Sequence, residues 1–184
     1  FVGKNVEGEN WSGNKQRVKT IKLYFSGAAD DLSSQLTENK GDSLSFAVYT
    51  ECTPVIAFNS LNSFIQLPAE KFNAYLQEDG LQNVLDYRRV NKQSDSAGKE
   101  LYQRSVKTIL QVGNTKSDVS FPVNLPLDFI PQQNPYTLST WDSLTFKLIF
   151  KNQILPNQLI KIWQRVKNKT YNTTTLTNKD GFFK

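Results

Sequence analysis

No histidine and no methionine occur in these 184 residues, and there is a single cysteine, Cys52. Each absence closes off a class of chemistry. Without His there is no Ser-His-Asp or Cys-His constellation, and the commonest side-chain ligand for transition metals is missing. A lone Cys makes no internal disulfide and no Cys-x-x-Cys motif, and it leaves the redox compartment undecided. Without Met at residue 1 the expectation is a chain whose signal peptide has been removed. No apolar run approaches the roughly 20 residues that a spanning helix needs. No glycine-rich loop has phosphate-binding spacing.

What is present is apolar enough to fold. Hydrophobic residues make up 38% and aromatics 12%, with 12 Phe and 7 Tyr, residue types that favour strands over disorder. The net charge of +5 is modest, and Lys and Arg are spread along the chain. Solubility accounts for that distribution, and with no binding motif beside it nucleic acid is not an expected partner.

Period-two alternation predicts strands at residues 17–25, 43–50, 54–58 and 64–67, with a loop over 26–43. In the first of these, Val18, Lys22 and Tyr24 fall on one face and Ile21, Leu23 and Phe25 on the other. Pro68 and Gly80 bracket a helical pattern with Phe72, Tyr75 and Leu76 on one side, and a second helix follows over 81–90. β-like composition returns over 101–112. The prolines at 122, 126, 131 and 135 mark residues 127–130 as an edge strand or a crossover. Two more strands are predicted at 144–150 and 159–166. A Thr/Asn-rich stretch follows, and then an Asp180-Gly181 turn that should lead into another strand. The expected class is mainly β: two β-sandwich parts of immunoglobulin or prealbumin type, with a short helical insertion around residues 68–90. The expected division is 1–130 and 131–184, the second part lacking its closing strand.

Candidate chemistry is sparse. Asp30-Asp31 and Glu78-Asp79 are adjacent carboxylates, and neighbouring side chains diverge on strands and helices alike, so neither pair is set for acid–base work. A glycosidase needs two carboxyls facing each other at about 5–9 Å, which no spacing here presets. Cys52 has no cationic neighbour in sequence to activate it. The basic-aromatic residues are the more informative set. Arg88, Arg104 and Lys107 are candidates for binding a carboxylate or phosphate, since Arg offers a planar fork for two oxygens. The alternative is pairing of Arg88 or Arg104 with Asp86, Glu78 or Glu100. Trp163 is a candidate sugar- or partner-binding residue, because alternation places it beside Lys161, Arg165, Lys167 and Lys169 and opposite Ile160, Ile162 and Val166. Packing under lysine stems is the competing reading.

Four stretches taken together carry a resemblance: Glu7-Gly-Glu-Asn-Trp11, Lys71-Phe-Asn-Ala-Tyr-Leu-Gln-Glu-Asp-Gly-Leu81, Tyr102-Gln-Arg-Ser-Val-Lys107 and Asn134-Pro-Tyr136. The chain resembles a bacterial extracytoplasmic family of unknown function, once labelled the periplasmic component of a nickel or cobalt transport system. Residues 144–183 resemble the prealbumin-like module that serves as a regulatory domain in carboxypeptidases. The resemblance implies a periplasmic or envelope-associated protein without established enzyme activity. It also implies a His-containing start and a glycine-tryptophan closing strand, neither of which is in this sequence. The expected function is therefore non-enzymatic binding of a small ligand or an envelope protein, with no cofactor. A periplasmic accessory role in nickel or cobalt uptake is the alternative.

Overall fold

The computed structural model describes residues 15–25, 27–37 and 44–184. The motif at Glu7–Trp11 therefore lies outside the described residues. In chain order the strands are β1 (Val18–Phe25), β2 (Ala28–Asp31), β3 (Val55–Ser60), β4 (Ser63–Leu67), β5 (Gly98–Tyr102), β6 (Ser105–Ile109), β7 (Leu127–Pro131), β8 (Phe146–Phe150), β9 (Gln153–Ile154), β10 (Leu159–Val166), β11 (Lys169–Leu176) and β12 (Phe182–Phe183). Helices α1 (Ala69–Glu78) and α2 (Gln82–Val90) fall between β4 and β5 in sequence. The architecture is mainly β and sandwich-like with a short helical insertion, as the sequence patterns predict. The described residues form two compact units, one of those up to Leu61 together with Arg104–Lys184, the other of Asn62–Gln103.

In the larger unit an antiparallel sheet of order β2-β1-β3-β6 is covered on both faces. Ile21 and Leu23 of β1 bury against Leu32 and Leu36 on one side. Val55 and Ala57 of β3 bury against Val119, Val123 and Leu125 on the other. Each fully buried aliphatic side chain of this kind contributes about 1.5–3 kcal/mol. Val18 packs with the Ile21 face, not the Tyr24 face that strict alternation assigns it. A register shift between Val18 and Thr20 absorbs one residue, and such a bulge resets the period.

Three further expectations change. Residues 45–49 form no ladder. Leu44, Phe46 and Val48 do point inward at period two, but only Leu44 makes a bridge, to Leu36. The expected loop over 26–43 contains β2, together with the buried Leu32 and Leu36. The β-like run over 101–112 is not continuous. It breaks at Gln103–Arg104, with β5 pairing β4 on one side and β6 pairing β3 on the other.

A second sheet of the larger unit has the order β12-β8-β7, with β9 also on β8, so β7 is an edge strand. The Asp180-Gly181 turn does lead into a strand. Asn178 Oδ1 accepts from the amides of Asp180 and Phe182, both at 2.9 Å, and Gly181 takes φ 78°. Phe183 then stacks on Phe146 with ring centroids 5.4 Å apart. The Thr/Asn-rich stretch is itself a strand, β11, paired with β10 over eight residues. Ile160 and Ile162 root this ribbon in a core with Leu148 and Phe183, while both strands are exposed towards the turn.

The smaller unit packs its two helices with the antiparallel β4-β5 pair. Phe72 and Leu76 are the buried face of α1, which begins after Pro68. Gly98 lies against the Phe72 ring, where a Cβ would come within 2.0 Å of Phe72 Cδ1.

Candidate functional site

Arg88 is buried in the smaller unit. Its Nε donates to Asn73 Oδ1 at 3.0 Å, and Nη2 donates to the carbonyls of Gln93 at 2.8 Å and Ser96 at 2.6 Å. The guanidinium also sits 4.9 Å over the Phe72 ring. Carbonyl dipoles and a π face, not the expected carboxylates, hold this charge. Asp86 pairs with the exposed Arg89 instead, at 3.1 Å.

Arg104 and Lys107 belong to the larger unit. Arg104 occupies the break between β5 and β6, where its backbone amide donates to Ser60 Oγ at 2.9 Å and its carbonyl accepts from the Ser60 amide at 2.9 Å. Lys107 points inward from β6. Its Nζ meets Asp128 Oδ1 at 2.5 Å and donates to the Phe129 carbonyl at 2.9 Å. Asp128 Oδ2 accepts from the Val123 amide at 2.8 Å. Burial pulls the Lys107 ammonium below its ordinary range, and Asp128 only partly opposes this. The pair joins the two sheets of its unit. Trp163, the fourth candidate, stands 60% exposed on β10.

A different set of residues forms a cleft that no sequence pattern announces. Tyr24, the Gly27–Ala29 turn and the loop from Ser117 to Pro122 enclose about 480 Å³. The Tyr24 and Phe121 rings lie 6.3 Å apart at 48°. Tyr24 Oη donates to the Val123 carbonyl at 2.9 Å, and burial, helped by Asp128, pushes its phenol up. Ala28 and Ala29 leave room where larger side chains would fill the space, and the exposed Asp118 sets a negative charge at the mouth.

One wall of the cleft is held from behind. The buried Thr53 hydroxyl donates to Gln111 Oε1 at 2.8 Å and accepts from the Ser117 amide at 3.1 Å. Asn134 Nδ2 donates to that hydroxyl at 2.8 Å and to the Ser117 carbonyl at 2.7 Å. Asn134 Oδ1 caps the Pro135–Thr137 turn through the Tyr136 amide. Donors and acceptors are nearly saturated, which is what makes a buried polar cluster rigid.

A family model described as Domain of unknown function (DUF4198) matches residues 14–184. The chain belongs to that family. Neither the curated proteins nor the solved structures contain a match. In this DUF4198 chain the Asn-Pro-Tyr and Tyr-x-Arg-x-x-Lys motifs do structural work, since Asn134 ties loops together and Lys107 ties sheets. Among the described residues no group of three or more His, Cys, Asp and Glu side chains is placed to hold a metal ion. Asp30 and Asp31 are neighbours on β2 and so face opposite ways, and Cys52 is buried. No helix among the described residues is long and apolar enough to cross a membrane.

Proposed function

We propose that this DUF4198 protein is a non-enzymatic extracytoplasmic binding protein that takes a small ligand into the Tyr24–Phe121 cleft. The cleft is the observation that carries the reading: concave, mostly apolar, with one charged group at its mouth and a braced wall, the usual anatomy of a small-molecule site. Two rings and one carboxylate suit an aromatic or aliphatic body bearing an ammonium group. The resemblance at Lys71–Leu81, Tyr102–Lys107 and Asn134–Tyr136 supports the extracytoplasmic location, and the lack of His supports a non-enzymatic role. Reading residues 144–183 as a prealbumin-like module belongs to the same proposal.

The test is amide shift mapping by NMR with tyramine, a ring carrying one ammonium. Shifts should cluster at residues 27–29 and 117–121, and Ala29→Phe, which places a ring on the Tyr24 face of the sheet, should abolish them. Dispersed shifts, or clustered shifts that survive Ala29→Phe, would defeat the proposal.

A further inference from the structure

Strand β11 is paired along one side only. Its eight residues run beside β10, and the two strands form a sheet of their own. Just past its end, the Thr177 amide donates to the Gln158 carbonyl at 3.0 Å and the Thr177 carbonyl accepts from the Asn157 amide at 2.9 Å. Those bonds fix the phase of the ladder. Lys169, Tyr171, Thr173 and Thr175 bond to β10, while Thr170, Asn172, Thr174 and Leu176 turn their backbone N–H and C=O groups to the outer edge. No strand among the described residues pairs with that edge, and Lys169–Thr174 are all exposed.

Proteins guard open edges with charge, proline, a bulge or brevity. The other edges among the described residues are guarded in this way. Strand β2 ends in Asp30-Asp31, β5 holds Lys99-Glu100 and β7 ends in Pro131. Strand β6 turns Lys107 inward, and β10 carries Arg165. Strand β4 has five residues and stops at Pro68, and β9 and β12 have two each. From Thr170 to Leu176, β11 has no charge, no proline and no glycine, and its register with β10 runs without a shift. Four of those residues are Thr, a β-branched type that favours strands.

A row of outward N–H and C=O groups is matched by another extended backbone. We propose that β11 pairs edge to edge with β11 of a second copy, giving an antiparallel four-stranded sheet of order β10-β11-β11-β10 about a two-fold axis. Pairing centred on Thr173 lays the uncharged Thr170–Leu176 segment against itself, with Asn172 opposite Thr174 and Tyr171 opposite Thr175. Nothing in that segment selects a partner by charge, because the cations lie outside it. Lys169 then faces Thr177 of the other copy. The two Lys169 residues stand eight positions apart, about 27 Å, well beyond a Debye length of about 10 Å. Parallel pairing would set the two basic tips side by side. None of these residues lines the Tyr24–Phe121 cleft, so the pairing does not depend on the ligand reading.

The experiment is sedimentation equilibrium of the protein from about 10 µM to 1 mM, a range set by the weak affinity of so small an interface. Expected is a reversible monomer–dimer equilibrium with a Kd on the order of 100 µM. Asn172→Pro removes an outward N–H and no bond to β10, and should weaken the dimer at least tenfold. Thr173→Lys sets like charges opposite each other at the axis, so it should weaken the dimer in a way that added salt partly restores. Thr173 is exposed, so the thermal midpoint of that variant at 10 µM should match the parent. Under mild oxidation Thr173→Cys should give a disulfide-linked dimer and Thr170→Cys should not, Cys52 being buried. A monomer at every concentration, growth beyond the dimer, association that survives Asn172→Pro, or equal cross-linking through residue 170 would each overturn the proposal.

Discussion

Tyr75 is the residue whose chemistry most clearly reports its surroundings. Its hydroxyl donates to Glu100 Oε1 at 3.2 Å. Burial first, then the Glu100 and Asp79 charges and the Glu100 hydrogen bond, push the phenol up to about 12. The folded state therefore holds this proton more tightly than the unfolded chain, where a tyrosine loses it near 10. The resulting stability is complete below pH 10 and drains away between pH 10 and about 12. In Tyr75→Phe the last phenol to ionise should disappear from the tyrosinate absorbance titration, and the alkaline fall in stability should become shallower. Superimposable titration curves for the two proteins would contradict this assignment. Arg88 teaches a related lesson. Three hydrogen bonds to internal oxygens offset the cost of burying its charge, each such bond to a charged group being worth about 1.5–3 kcal/mol.

At the scale of elements, the contact between α1 and β5 decides the smaller unit. Gly98 is the closing residue of the β4-β5 pairing, opposite Leu67, and it lies flat on Phe72. Gly98→Ala should destabilise the protein by about 1–3 kcal/mol, the usual cost of overpacking a closed core, and urea unfolding measures it directly. A loss below half a kcal/mol would mean that Phe72 swings aside. The helices were legible in the sequence because Pro68, Gly80 and the Phe72–Leu76 stripe agree with one another. Strands β1, β3, β4 and β7 were legible from alternation and proline placement. Strand β11 was not, since Lys169–Leu176 is polar on both faces and a solvated ribbon shows no period. Residues 44–48 show the reverse case, an inward alternation with no partner strand. The cleft was illegible for a different reason. Its walls come from positions about ninety residues apart, and no local pattern couples Tyr24 to Phe121. The exposure of Trp163 beside Lys161 and Arg165, by contrast, follows from simple alternation. That rule carries no further than the turn: Lys167 lies in it with φ 54°, and Lys169 returns opposite Val166.

For the molecule as a whole, the decisive contact is the Lys107–Asp128 pair, with side chains 7% and 1% exposed. Removing one partner leaves an uncompensated buried charge, so Lys107→Met or Asp128→Leu alone should cost about 3–5 kcal/mol. The double variant Lys107→Met/Asp128→Leu should recover part of that loss, because no charge is then left unpaired, although the Val123 amide and the Phe129 carbonyl still lose their partners. Additive losses in a double-mutant cycle, read from denaturant midpoints, would show that the two side chains act independently.

The same pair has a consequence for how the chain finds its alignment. Strand β6 reads Ser-Val-Lys-Thr-Ile, and it turns the lysine inward while leaving Val106 41% exposed. Judged on hydrophobicity alone, a slip of one residue would look better: Val106 would go in and Lys107 out. Asp128 reverses that preference, since a slipped strand would strand its carboxylate in the interior without a cation. The ion pair thus acts as a proofreader, rejecting an alignment that greasiness by itself would accept.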